Sequence, residues 1–410
     1  MAAEAIGPIQ LTSVDLRHRL TAAYFATFVA LGLTTGSLGP TLPALATQTQ
    51  SSLNAISYLF TFRSLGYVAG SILGGKLVDR LPGNIVMSTM LLLAMAPLLL
   101  IPFSMQLATI MGLMFVLGAA EAGLDVSANT LLLRVHGPLV APFMNGMHSC
   151  FGVGALIAPI IVARLPFFGQ QVSTQSYLLL AIVLLAVAVF VVRLPSPAPR
   201  VVENSAASSG RKATVFWLAL FLFLYVGAEV GFAGWIFSFT VITGLGTTAG
   251  AAYLTSLFWG SLTLGRALAI PITARVEPDA VLAASLVGAI VSLLLMLVFE
   301  HSLFGVSLGV AALGFSMASI FPATLSFATR RLNVTGRITG WFVVGSSLGA
   351  TSIPLAIGQM LSGLGPRSVI LLPALALLLG GVVLAVLKCS ERECNLEFVR
   401  GIQADGQKKE

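Results

Sequence analysis

The stretch 118-GAAEAGLDVSANTLLLR-134 puts Glu121, Asp125 and Asn129 four residues apart inside an apolar run from Leu107 to Leu133. On a helix that spacing forms one polar stripe on one face. The run is long enough to cross about 30 Å of hydrocarbon. Two acids at that depth need a reason, because a charge at the bilayer centre costs about 2.5–3.5 kcal/mol or more.

The rest of the chain has the same character. Of its 410 residues 57% are hydrophobic and only 9% charged, against roughly 25% charged in a soluble domain, and the mean hydropathy is +0.97. Apolar runs recur at roughly 20–46, 55–79, 84–104, 107–133, 140–164, 174–193, 214–242, 249–274, 280–299, 303–329, 338–362 and 368–388. They lack the short alternating segments of a membrane barrel. The expectation is an all-α membrane protein with twelve transmembrane helices.

The formal charge of +7 does not signal nucleic acid. With the N-terminus inside, eighteen Lys and Arg fall on the cytoplasmic side and only Arg164 and Arg367 on the outer side, leaving Arg63 and Arg266 within spans. That is the positive-inside bias. It puts both termini of a multi-pass protein in the cytoplasm, in a cell membrane or bacterial inner membrane. The first sixteen residues carry Glu4 and Asp15 and no apolar core, so no cleavable signal is expected. Cys150, Cys389 and Cys394 are too few and too scattered for a disulfide framework. No metal or cofactor is expected, and the chain is expected to be a monomer.

Shifting the chain by 195 residues brings Gly36 and Gly39 onto Gly231 and Gly234, Tyr58, Gly70 and Arg80 onto Tyr253, Gly265 and Arg275, and Gly154, Ala155 and Pro159 onto Gly349, Ala350 and Pro354. A shift of 196 matches Gly118 to Gly314 and Arg134 to Arg330. The chain therefore divides into a cytoplasmic segment 1–19, a six-helix bundle 20–193, a Pro- and Ser-rich linker 194–213, a second bundle 214–388 and a tail 389–410. Between spans two and three, 74-GGKLVDR-80 is similar to the loop signature of the major facilitator superfamily, with Gly75, Leu77, Asp79 and Arg80 in place. The resemblance implies two pseudo-symmetric six-helix bundles with a substrate site between them, worked by alternating access. Asp79 and Arg80 are the expected conformational latch, with Gly75 allowing close helix approach.

Of the intramembrane charges, Arg63 and Arg266 are read as structural, with Glu121 either pairing Arg63 or passing a proton outward. Asp125 lies about 13 Å inside the cytoplasmic end at 1.5 Å per residue, and is the leading candidate to carry a coupling ion. Asn129 can donate to it or to a hydroxylated substrate. Sugar hydroxyls and C–H faces want amide, carboxylate and aromatic partners. Tyr225, Glu229, Phe232 and Trp235 in span seven, Asn145 and His148 in span five, and Gln359 in span eleven are therefore the candidate binding residues.

Asp125 to Asn129 resembles the fourth-helix motif of the fucose–galactose–glucose:proton symporter family. So do 144-MNGMHSCFGVGALIAP-159, 225-YVGAEVGFAGWI-236 and 344-VGSSLGATSIP-354, which are also similar to its sodium-dependent glucose transporter branch. The resemblance implies ion-coupled symport of a monosaccharide or similar polyol, with Asp125 implicated in proton coupling. That family's fucose permease has a second aspartate in its first span, whereas 34-TTGSLGPTLP-43 has no acid. Glu229, at the repeat-related position, stands in for it, or the ion is sodium. An exporter of drugs or amphiphilic metabolites and a non-transporting receptor are the alternatives. No Walker loop, Gly-x-Ser-x-Gly elbow or His-Glu-x-x-His pair points to an enzyme.

Overall fold

The computed structural model describes residues 14–164, 172–197, 212–273, 275–332 and 336–407. Most of the 194–213 linker and the first thirteen residues lie outside that set, as do the side chains of Cys389 and Cys394. Twelve long helices follow one another: α1 (Val14–Gln48), α2 (Tyr58–Arg80), α3 (Gly83–Leu100), α4 (Leu107–His136), α5 (Ala141–Arg164), α6 (Val172–Val192), α7 (Lys212–Ile242), α8 (Thr248–Thr273), α9 (Pro278–Val298), α10 (Leu303–Arg331), α11 (Gly336–Met360) and α12 (Ser368–Gln407). Among the described residues, ten of them are long and apolar enough to cross a membrane. The other two, α2 and α8, have 23 and 26 residues and pack among the rest. The polarity of α2 turns inward, where Arg63 and Tyr67 find partners on α4.

The outside of the bundle is as apolar as its inside. Val287, Val291, Leu294 and Val298 recur every three or four residues along α9 and are all more than half exposed. Without a solvent that drives apolar surfaces together, helices in lipid associate through close packing of small residues. Both halves do this at related positions. A Cβ at Gly32 on α1 would meet Ala155 N of α5 at 2.9 Å, and one at Gly227 on α7 would meet the Gly349 carbonyl of α11 at 2.8 Å. On α2, Gly66, Gly70 and Gly74 lie against Phe115, Ala119 and Gly123 of α4, and Gly265 of α8 lies against Phe315 of α10.

The element bounds differ from the expected spans in three places. Helix α1 already begins at Val14, six residues before the expected span. Helix α12 continues to Gln407, because 389–400 offers no Pro or Gly to stop it. Helix α10 is interrupted between Met317 and Ile320.

The two ends of the molecule are not alike. At the end remote from the chain termini, Gln359 Nε2 of α11 donates to the Asn54 carbonyl at 2.8 Å and to Ser57 Oγ at 3.1 Å, and Asn54 Nδ2 donates to Ser362 Oγ at 3.3 Å. Arg164 Nε of α5 donates to Tyr253 OH of α8 at 2.9 Å. Also there, the Arg367 guanidinium holds the Glu300 carboxyl below its ordinary range by hydrogen bonding. At the basic end the described ion pairs stay within one half. Arg134 Nη2 binds Asp79 at 2.9 Å, Arg331 binds Asp279 at 3.1 Å, and Arg330 binds Glu277. Among the described residues, the side-chain hydrogen bonds that join the halves thus lie at the far end, and the ion pairs at the basic end lie within one half.

Candidate functional site

Helices α2 and α4 run side by side in the same direction, so side chains four apart on each face one another as rungs. On the first rung Arg63 Nε and Nη2 donate to both oxygens of Glu121, at 2.7 and 2.6 Å. Arg63 Nη2 also reaches Thr35 Oγ1 of α1 at 3.1 Å. This is a bidentate, charge-assisted pair, with the Glu121 side chain 3% exposed. Of the two roles open to Glu121, the geometry is that of the pair.

The second rung is different in kind. Tyr67 OH donates to Asp125 Oδ2 at 2.6 Å, and Asn129 Nδ2 donates to Asp125 Oδ1 and to its carbonyl, each at 2.8 Å. Both donors are neutral. Among the described residues no Lys or Arg pairs with Asp125, and the residue is half-buried. Tyr67 carries no signal in a single sequence beyond its four-residue spacing from Arg63, and was not anticipated.

On the same half, Asn145 and His148 of α5 are exposed, one and two turns into that helix. The His148 ring packs edge-on to Phe28 at 5.1 Å. It lies within electrostatic reach of both Asp125 and Arg266. On the other half, Glu229 of α7 receives a hydrogen bond from Tyr225 OH, and its Oε1 lies 3.9 Å from Arg266 Nη2 of α8. Tyr225 OH also reaches the Met317 carbonyl at 3.0 Å. That carbonyl ends the first segment of α10, so the phenol satisfies a group the interrupted helix leaves open.

Several expected binding residues are placed elsewhere. Tyr225, Phe232 and Trp235 are at most 1% exposed and do not line the space. Phe232 packs on Phe258 at 5.3 Å, and Trp235 Nε1 donates to the Pro354 carbonyl at 2.9 Å. Spacings of three and four put Tyr225, Glu229 and Phe232 on one face of α7, but Tyr225, Phe232 and Trp235 are taken up in contacts with α10, α8 and α11. Gln359 belongs to the far-end closure instead, because it sits in the last turn of α11. In the loop signature, Asp79 pairs with Arg134 and not with Arg80, which is exposed. Close approach falls to Gly74, where an added Cβ would lie 2.8 Å from Gly123 Cα, whereas a Cβ at Gly75 would touch only the Val126 side chain at 3.9 Å.

The sequence model of the Major Facilitator Superfamily matches residues 23–350. The chain belongs to that superfamily. Its relatives are transporters and not enzymes, and the chain is a multi-pass membrane transporter. The sodium-dependent glucose transporter 1 of Xenopus laevis is 32% identical over 369 residues, covering 82% of this chain and 74% of that one. A bacterial homologue of the human lysosomal transporter Spinster, in an inward-facing and unoccupied conformation, shares the fold with a TM-score of 0.74 at 12% identity, over 92% and 97% of the two chains. The E. coli fucose:proton symporter shares it with a TM-score of 0.61 at 19% identity, over 91% and 98%. Superfamily membership accounts for the duplicated close approaches and the space between the halves.

Proposed function

We propose that the protein is a secondary active transporter that moves a monosaccharide or similar polyol by alternating access, coupled to an ion through Asp125. The observation that carries this is the contrast among its three intramembrane carboxylates. Glu121 is locked to Arg63 and Glu229 lies beside Arg266, while Asp125 is held only by neutral donors. A carboxylate at that depth without a cation is poised to take one up from solution and give it back. A proton is the favoured ion, as in the name of the E. coli fucose:proton symporter whose fold the chain shares. The name of the Xenopus relative makes sodium the alternative, and sugar the substrate class.

Asn129, Asn145 and His148 supply hydroxyl partners on the first half, and Arg266 faces them from the second. The basic end is the cytoplasmic one by the positive-inside bias, and the hydrogen bonds that join the halves at the other end support an inward-facing reading of this conformation. The test is uptake of radiolabelled D-glucose and L-fucose into proteoliposomes holding the purified protein, with pH and sodium gradients imposed separately. Accumulation driven by one gradient supports the reading. Equilibration without accumulation under both gradients would reduce the protein to a facilitator, and binding without flux would make it a receptor.

A further inference from the structure

The two seams between the halves repeat one arrangement. Helix α2 packs on α11, and α8 packs on α5. Each seam carries a clasp at the far end. In the first, Gln359 of α11 donates to the Asn54 carbonyl and to Ser57 Oγ, just ahead of α2. In the second, Arg164 of α5 donates to Tyr253 OH near the start of α8. Gln359 and Arg164 lie 195 residues apart, the offset of the duplication. The two clasps are one device used twice.

The same offset picks out a second pair. Among the described residues, the buried side-chain oxygens without a hydrogen-bond partner are those of Thr61, Ser127, Ser238 and Ser256. Thr61 and Ser256 are 195 residues apart. Each stands about one turn inward from its clasp, on the face that meets the other half. A Cβ at Gly358 of α11 would lie 2.8 Å from Ser57 Oγ, and Thr61 follows Ser57 by four residues, on the same face. Helices α2 and α11 run antiparallel, so Thr61 meets the turn of α11 that holds Pro354. On α8, a Cβ at Gly260 would lie 2.8 Å from Leu156 Cδ1 of α5, and Ala251 and Ala252 pack with Ala163. Ser256 lies between those contacts, at the turn of α5 that holds Pro159. Pro159 and Pro354 are themselves repeat partners.

A hydroxyl in a membrane helix ordinarily returns to its own backbone. Thr255, next to Ser256, donates to the Ala251 carbonyl at 3.0 Å. Thr61 and Ser256 do not, so each is sealed and unpaired while its seam is shut, which costs the desolvation of the group. Parting the seam lets water reach the hydroxyl and removes that cost. The clasps favour the closed far end, and the hydroxyls oppose it.

We infer that Thr61 and Ser256 are counterweights to the two clasps: their unpaired hydroxyls keep the closed far end near enough in free energy to the open one for the protein to alternate. This rests on the proposed alternating access and adds what keeps the closed state from becoming a trap. A binding-competent state that is rarely populated lowers apparent affinity in proportion, so a protein locked shut at the far end would take up little sugar.

The test uses intact cells expressing the full-length protein, with Cys150 replaced by serine and a cysteine placed at Ala44, which lines the small far-end cavity between α1, α5, α7 and α8. Its rate of reaction with a membrane-impermeant maleimide reads the population open at the far end. Thr61→Val keeps the shape of the side chain and should slow the reaction about fivefold, as should Ser256→Ala. The double variant should slow it about twenty-five-fold, because the sites lie in separate seams and their effects multiply. Thr255→Val should leave the rate unchanged, since its hydrogen bond stays inside α8 in either state. An unchanged or faster reaction in either Thr61→Val or Ser256→Ala overturns the inference. Failure of the underlying reading is distinguishable: the cysteine then stays unreactive even with both clasps cut by Gln359→Leu/Tyr253→Phe, and the inference falls with it.

Discussion

At the scale of single residues, the two rungs between α2 and α4 do different work although they repeat the same spacing. Arg63 and Glu121 are a buried ion pair, and breaking one side leaves an uncompensated charge. Glu121→Gln should therefore lower stability by about 3–5 kcal/mol, read as a fall in melting temperature of the detergent-solubilised protein. The double substitution Arg63→Met/Glu121→Met should recover most of the loss, since an apolar pair of similar volume replaces a desolvated one. A melting temperature unmoved by Glu121→Gln would mean that the pair is wet. The acids themselves were legible in the sequence, because few other residues are charged at that depth. Tyr67 was not, because a tyrosine in a membrane helix has many ordinary roles and only the neighbouring helix reveals its partner. Tyr225, Phe232 and Trp235 misled for the same reason, since periodicity defines a face but not what covers it.

At the scale of helices, the glycines of α2 set its distance from α4. The loop signature directs attention to Gly75, but a Cβ at Gly74 would lie 2.8 Å from Gly123 Cα and Gly75 has room. Gly74→Ala should cost about 1–3 kcal/mol by overpacking, whereas Gly75→Ala should be close to neutral in a thermal melt. The reverse order would show that Gly75 is needed in a conformation other than this one. The duplication was readable because glycines at a constant offset survive as close approaches in both halves. The interruption of α10 was less plain, because 303–329 reads as one long mostly apolar run whose breakers, Gly305, Gly309, Gly314 and Pro322, do not single out the break. Pro322, in the first turn of the second segment, has no N–H for the Ala318 carbonyl, and Tyr225 of α7 takes up the Met317 carbonyl.

At the scale of the whole molecule, the closure at the far end and the opening at the basic end form one equilibrium. Gln359 spans the halves with two hydrogen bonds, each worth about 1 kcal/mol net. Gln359→Leu should therefore shift the population toward the state open at the far end by about tenfold or more. A cysteine placed at Ala44, beside the small apolar cavity at that end, should react faster with a membrane-impermeant maleimide in that background. An unchanged rate would mean that other far-end contacts, such as Arg164 with Tyr253, hold the closure alone. The whole account turns on whether this rocking is tied to an ion at Asp125. The direct measurement compares wild type with Asp125→Asn in proteoliposomes under an imposed pH gradient, scoring both sugar exchange and net accumulation. Asp125→Asn keeps the size of the side chain and should exchange sugar within a few fold of wild type while accumulating none. A well-folded Asp125→Asn protein that still concentrates sugar against its gradient would contradict the account.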